Sequence, residues 1–334
     1  MFGFGKGKAG CGLHIHDTGI KLIQVKPSFP VKVLQAHAVE FEDQFIKNGT
    51  IIDEDAVTAA LGKLIRKADL RKARVHLALP TSSVVMRKSV FPSVHDKEMR
   101  NLIDVELYSS GQLPFSNPSF DYIRLGAADD EAAAAAEDSG KSRSKKQEQV
   151  MIITTSRETV DAYTGLAYKA GLEPVSADIP SFALYRLLCL MAQRTKMTLP
   201  ESFMILHVEK DQAEAVVFQN GVPTVTRTIP IFGAKALNSG AEMNIEAYTR
   251  SLQMELSRLI NYYKYSVSES QRELDQIFLT GNPELLTVLP STFEGLVKGG
   301  AMKMEIDQMV AGTSLESVLP YAIPLGLALK GAVG

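Results

Sequence analysis

CGLHIHDTGIKLIQV, residues 11–25, reads as a strand, a tight turn and a second strand. Leu13 and Ile15 alternate with His14 and His16, Asp17-Thr18-Gly19 forms a turn cluster, and Ile20, Leu22 and Val25 resume the apolar run. The same shape returns at residues 205–218, ILHVEKDQAEAVVF. At one offset, 207 − 14 = 209 − 16 = 193, His14 falls on His207, His16 on Glu209 and Ile23 on Val216. A further β-like run follows each hairpin, at 31–41 and 223–231. A duplication at this long period predicts two like domains facing each other.

The remaining composition bounds the function. A chain of 334 residues has room for two to three domains and an ample core. Its net charge of −2 gives no electrostatic reason to expect nucleic acid as a partner. Cys11 and Cys189 lie too far apart for a local metal motif, and Cys189, inside Leu187-Leu188-Cys189-Leu190-Met191, is expected to be a core thiol. This cysteine usage fits a reducing cytoplasm. The opening MFGFGKGKAG has no apolar core of a signal peptide and reads as a flexible tail, 1–10. No window reaches the roughly 20 apolar residues of a membrane span, so attachment to a membrane would need a partner.

Along the chain, residues 53–70 carry Val57, Ala60, Leu61, Leu64, Ile65 and Ala68 at helical spacing, with Asp53 as cap, and 74–80 alternates as a strand whose His76 faces solvent. Residues 81–125 look like a separate unit with a strand ending at Pro92, a helix carrying Met99, Leu102 and Ile103, a break at 112–115 and a strand from Phe120. Residues 126–149 place Ala132–Ala136 between acidic and basic blocks, which predicts a mobile, solvated loop. Thr155 with Glu158 predicts a capping box for the helix that follows. A strongly apolar helix, 181–193, and another at 321–330 are expected to be buried. In the second half, Leu252, Leu256, Leu259, Ile260 and Tyr263 mark one helix face, and 276–280 a strand running into Gly281-Asn282-Pro283.

These pieces together resemble the PilM family, actin-like proteins of type IV pilus, secretion and competence-pseudopilus assembly platforms. The resemblance rests on LHIHDTGIKLIQVK, VHLALPTSSVVMRKSVFPS, VELYSSGQLPF, TTSRETVDAYTGLAYKAGLEPVSADIPSFALYR, VVFQNGVPTVTRTIPI, IFLTGNPELL and PLGLALKG, in this order over nearly the whole length. It implies an α/β, duplicated actin-like fold (FtsA/PilM-type), with two domains flanking a cleft and an inserted subdomain. The expected division is 11–80 with 176–200 and 318–334 as the first domain, 81–175 as the insertion, and 201–317 as the second domain. It further implies a cytoplasmic protein, peripheral at the inner membrane, that binds the cytoplasmic tail of a PilN-like bitopic protein. Leu102, Leu113 and Phe115 are the expected partner-binding residues. Self-association and contacts with a pilus ATPase or other platform proteins stay open.

In ATP-binding actin-like proteins each hairpin carries Asp, then Gly two residues on. The Asp handles Mg²⁺-bound water, and the Gly lets backbone N–H groups close on the phosphates. Here the first hairpin has His14 and His16, and the second His207 and Glu209. The adenosine turn keeps Gly281 but continues with Asn282, and Lys21 stands at the family's lysine position. The expected cleft is therefore a degenerate nucleotide site, His14, His16, Lys21, His207, Glu209, Gly281 and Asn282, in a pseudo-ATPase scaffold with no cofactor. A functional ATPase or kinase-like phosphotransferase using ATP and Mg²⁺ is the alternative. His14, His16, His207 and Glu209 could meet as zinc ligands, but no local spacing supports this and no metal is expected.

Overall fold

Two hairpins with one register organise the molecule. The computed structural model describes residues 9–109, 111, 113–128, 146–231, 244–268 and 271–330. β1 (Gly10–His16) and β2 (Gly19–Lys26) pair antiparallel with Leu13 opposite Leu22 and Ile15 opposite Ile20. β3 (Val31–Glu40) continues the meander, and a two-residue pair, β4 (Ile46–Lys47) and β5 (Thr50–Ile51), leads to α1 (Glu54–Ala68). Asp53 caps α1 by accepting from the Ala56 N–H at 2.9 Å, as its position predicts. β6 (Arg74–Ala78) then runs parallel to β1.

A separate compact unit, Ser83–Tyr163, interrupts this half. It contains β7 (Val85–Pro92), α2 (Asp96–Ser109), β8 (Pro118–Ala127) and β9 (Gln147–Ser156), with the strands in the order β7-β9-β8. Its own core is Phe91, Met99, Ile103, Leu107, Val150 and Ile152. α3 (Arg157–Lys169) begins within this unit, and from Thr164 the chain is again in the first half, which continues in β10 (Glu173–Asp178) and α4 (Pro180–Thr195).

The second half repeats the plan: β11 (Ser202–Val208), β12 (Gln212–Gln219), β13 (Val222–Pro230), α5 (Ile245–Tyr262), β14 (Gln276–Gly281), α6 (Leu285–Thr292) and β15 (Ala301–Lys303). β16 (Val310–Ala311) and α7 (Ala322–Ala328) end the described chain. In β11 and β12, Leu206 faces Ala215 and Val208 faces Ala213. These are the pairs Leu13–Leu22 and Ile15–Ile20 displaced by 193 at every position. The sheet orders agree as well: β3-β2-β1-β6-β10 in one and β13-β12-β11-β14-β15 in the other, the first carrying β16 as an added edge.

Several expectations require adjustment. The insertion ends at Tyr163 rather than 175, because β10 hydrogen-bonds to β6 and so belongs to the first sheet. Val310 and Ala311, assigned by sequence to the second domain, pair with β3 of the first sheet. Residues 126–127 and 147–149 of the expected loop are strand, paired across β8 and β9; its middle, 129–145, and the tail residues 1–8 lie outside the described residues. Ser156, not Thr155, caps α3 by accepting from the Thr159 N–H at 3.0 Å, while Thr155 donates to Ser83. Cys189 is half-buried rather than a core thiol, and His76 is half-buried with a ring nitrogen 2.8 Å from the Ser176 hydroxyl.

α4 and α7 lie within one continuous core that also takes in Val25 and Val33 of the first sheet and Ile205, Leu206 and Phe278 of the second. The approach of these helices depends on glycine. A Cβ at Gly326 of α7 would sit 2.1 Å from the Ala183 carbonyl oxygen of α4, and one at Gly12 of β1 would sit 1.8 Å from the Pro324 oxygen. Backbone atoms cannot swing aside as a flexible side chain can, so Gly326→Ala should lower stability by about 3 kcal/mol or more. Gly165→Ala on α3, where nothing lies within 4 Å of the new methyl, should instead raise it by roughly 0.5–1 kcal/mol. Thermal unfolding of both variants checks the contrast.

Candidate functional site

The alternation of a strand places Gly10, Gly12, His14 and His16 on one face of β1. The glycines back onto α7, and the two histidines continue that face to the mouth of the hairpin. His14 and His16 are each 7% exposed, and their rings stack with centroids 5.0 Å apart. Across from them, β11 delivers His207, 1% exposed, and its continuation delivers Glu209. Glu209 N–H bonds the Gln212 carbonyl at 2.8 Å, closing the second hairpin as the His16–Gly19 pair closes the first.

Glu209 is the hub. Lys21 Nζ donates to its Oε1 at 2.6 Å, and His207 Nε2 to the same oxygen at 3.1 Å. His16 Nδ1 lies 3.8 Å from Oε2, and the Thr18 hydroxyl lies 3.2 Å from that same nitrogen. The Tyr248 hydroxyl donates to the Glu209 backbone carbonyl at 2.6 Å and fixes the loop from the α5 side. Lys21 is directly opposite His14 in the register, and its side chain is only 18% exposed, so it reaches into the cluster rather than into solvent. The sequence-expected residues His14, His16, Lys21, His207 and Glu209 thus form one group.

Gly281 and Asn282 serve the backbone of this group. Gly281 ends β14 opposite Val208 with φ +116°, and a Cβ there would sit 2.0 Å from the Val208 carbonyl oxygen, so only glycine fits. Asn282 N–H bonds that same carbonyl at 2.8 Å, and its side-chain oxygen accepts from the Glu284 N–H at 2.9 Å. Leu102, Leu113 and Phe115 lie in the inserted unit, where all three are half-buried; Leu102 and Leu113 pack against its core. Val105 and Tyr108 of α2, which sequence reasoning passed over, are 67% and 59% exposed.

Burial sets the charge states. It lowers the pKa of His14 well below the ordinary value, with His16 adding to the effect, and it lowers His16 and His207 as well. For Glu209 burial works the other way, yet His16, Lys21 and the hydrogen bond from His207 outweigh it and hold the carboxyl well below the usual range. The site is therefore a buried carboxylate bonded by Lys21 and His207, with His16 beside its second oxygen. His14 Nδ1, His16 Nε2 and His207 Nδ1 have no hydrogen-bond partner.

Two acidic residues escaped sequence reasoning. Asp17 turns away from the cluster and accepts from the backbone N–H groups of Asn48 and Gly49, at 2.5 and 2.9 Å. Glu214, the counterpart of Lys21 at the same offset, faces His207 across the β11–β12 pair and is 8% exposed. The offset itself was the signal that could have found it.

Compared with known proteins, the chain matches the family model of the type IV pilus assembly protein PilM over residues 12–243, which span both hairpins and the insertion. It belongs to the PilM family. Among solved structures it is similar to a PilM–PilN type IV pilus biogenesis complex, at 21% identity, with 97% of this chain and 98% of that chain covered and a TM-score of 0.70. It is also similar to the ethanolamine utilization protein EutJ from Carboxydothermus hydrogenoformans, at 12% identity, 98% and 92% coverage and a TM-score of 0.51. No curated protein matches it. The fold is the duplicated actin-like α/β fold expected from the sequence.

Burial pushes the Glu214 carboxyl up to about 7 against the opposing pull of the Thr228 and Thr81 hydroxyls. The folded chain therefore holds a proton that the unfolded chain releases near pH 4.5. The stabilisation is full below that pH and is lost as pH rises through about 7, amounting to roughly 3 kcal/mol over the window. Glutamine keeps the neutral form at every pH, so Glu214→Gln should gain on the parent protein by about that amount between pH 5 and 8. The imidazoles, whose lowered values give the opposite slope below pH 6.5, are common to both chains and cancel. Denaturant melts across that range measure it.

Proposed function

We propose that the chain is a scaffold of a type IV pilus or related pseudopilus assembly platform that works without ATP hydrolysis. It binds the cytoplasmic tail of a PilN-like bitopic protein and is held at the inner face of the membrane through that partner. The observation that carries this reading is the Lys21–Glu209–His207 group at the meeting of the two hairpins. A nucleotide in an actin-like cleft needs close backbone approach from both hairpins, and here a histidine and a carboxylate stand at those two positions. A phosphate entering beside Glu209 meets like charge, worth on the order of 1–4 kcal/mol at close range in a partly dry cleft. Neutral imidazoles at 14 and 207 are poor partners for Mg²⁺, which prefers oxygen.

Family membership supports the pilus setting, and the similar solved structure, a PilM–PilN complex, supports the kind of partner. No helix among the described residues is long and apolar enough to cross a membrane, which agrees with recruitment by a bitopic protein. Phe115, half-buried and outside the insertion's core, is the best-placed of the three expected contacts.

Calorimetry with Mg-ATP at millimolar concentration should show no saturable heat; micromolar binding or turnover would establish the alternative, an actin-like ATPase with unusual residues. A synthetic peptide of the cytoplasmic tail of a PilN-like protein should bind, and Phe115→Asp should weaken it about tenfold or more with little change in melting temperature. Retained affinity in that variant would remove Phe115 from the contact.

A further inference from the structure

Three ligand-type side chains converge in the cleft from opposite halves of the duplication. One ligand atom each of His14, His16 and Glu209 lie within 4.8 Å of one another. The two histidines alternate along β1 and so share its face, while Glu209 arrives from the end of β11, 193 residues after His16. We infer that these three residues bind a divalent transition metal of borderline softness, zinc or cobalt in kind, that clasps the two hairpins together where other actin-like proteins would hold Mg-nucleotide.

The donor set selects this class of metal. Two imidazoles and one carboxylate suit zinc, cobalt or nickel, whereas magnesium prefers oxygen ligands with several waters. Three protein ligands leave one tetrahedral position for water or a partner's side chain. The surroundings are arranged as for a metal ligand: Glu209 Oε1 is held by Lys21 and His207, which leaves Oε2 directed at His16. Such orienting hydrogen bonds on the far side of a ligand are usual around bound metals. His14 Nδ1 and His16 Nε2 are buried without any hydrogen-bond partner, a costly state for polar nitrogens, while the His16 nitrogen nearest Glu209 is Nδ1, which also has the Thr18 hydroxyl at 3.2 Å.

Two features oppose the ion and set its limits. Lys21 brings a positive charge to the same carboxylate. Zinc ligands at about 2.0–2.1 Å from the metal lie roughly 3.3 Å from one another in a tetrahedron. Atoms spread over as much as 4.8 Å must therefore draw in by about an ångström or more, and binding should tighten the approach of the hairpins.

The test uses the whole chain, stripped with a chelator and titrated with Co²⁺ and then Zn²⁺ in the absence of nucleotide. The expected result is one equivalent of Co²⁺ with visible ligand-field bands, displacement by Zn²⁺, no competition from millimolar Mg²⁺, and a rise in melting temperature of about 3 °C or more at saturating metal. His16→Gln and Glu209→Gln should each abolish the bands, while His95→Ala, an exposed histidine in the insertion, should keep them. Because the variants alter a buried group, imidazole ¹H–¹⁵N spectra of the unaltered protein give a second reading: two histidines must shift on adding Zn²⁺. Absence of stoichiometric binding, bands that survive both substitutions, or imidazole signals that stay in place would overturn the proposal. The result is independent of whether ATP binds, since no step of it involves nucleotide.

Discussion

The structure depends on how closely α7 lies against its neighbours. Gly12 of β1 and Gly326 of α7 remove the side chains that would otherwise hold strand and helix apart, and Arg186 of α4 donates to the Gly326 carbonyl at 2.6 Å. Asp178, 8% exposed at the end of β10, is paired with Arg186 and Lys330, so the buried carboxylate at this junction is compensated. With α4 and α7 seated in this way, the two sheets share one apolar core. Loss of that approach would move β1, and with it the face that carries His14 and His16.

The cleft follows from this placement. A strand alternates strictly, so once Gly10 and Gly12 are committed to α7, His14 and His16 must emerge on the same side. The second hairpin, with the same register, must present His207 and Glu209 in equivalent positions. The mouths of the two hairpins are occupied by charge and imidazole, with Glu209 held by Lys21 and Tyr248. The position that is Lys21 in one half is Glu214 in the other, so the pseudo-symmetry of the backbone does not extend to its side-chain chemistry.

The inserted unit has its own small core and its own polar lock. Arg124 bonds Asp96, Glu148 and the Val94 carbonyl, tying β8 to the start of α2 and to β9. Arg100 lies over the rings of Phe120 and Tyr122, covering apolar surface that would otherwise face water. The exposed Val105 and Tyr108 remain on the outward side of α2, beside the partly packed Leu102.

Much of this was legible in the chain itself. Strand period and turn residues are local properties, so the hairpin at 11–25, its repeat 193 residues later and the cap Asp53 could be read directly, and the repeat implied the duplicated fold. Caps one residue apart, Thr155 or Ser156, could not be separated, because which hydroxyl reaches the helix depends on what the other one meets across the sheet. The end of the insertion and the extent of the second domain were misread for a similar reason: β10 and β16 belong to the first sheet through partners about 100 and 280 residues away in sequence. Residue identity marked His14, His16, His207 and Glu209 as unusual for their positions. Only the tertiary structure decided that Lys21 would turn inward to Glu209 across 188 residues, and that one nitrogen of each of His14, His16 and His207 would be buried without a hydrogen-bond partner. Strand propensity is written in neighbours along the chain, whereas the pairing of charges across a cleft is set by the packing that brings the strands together.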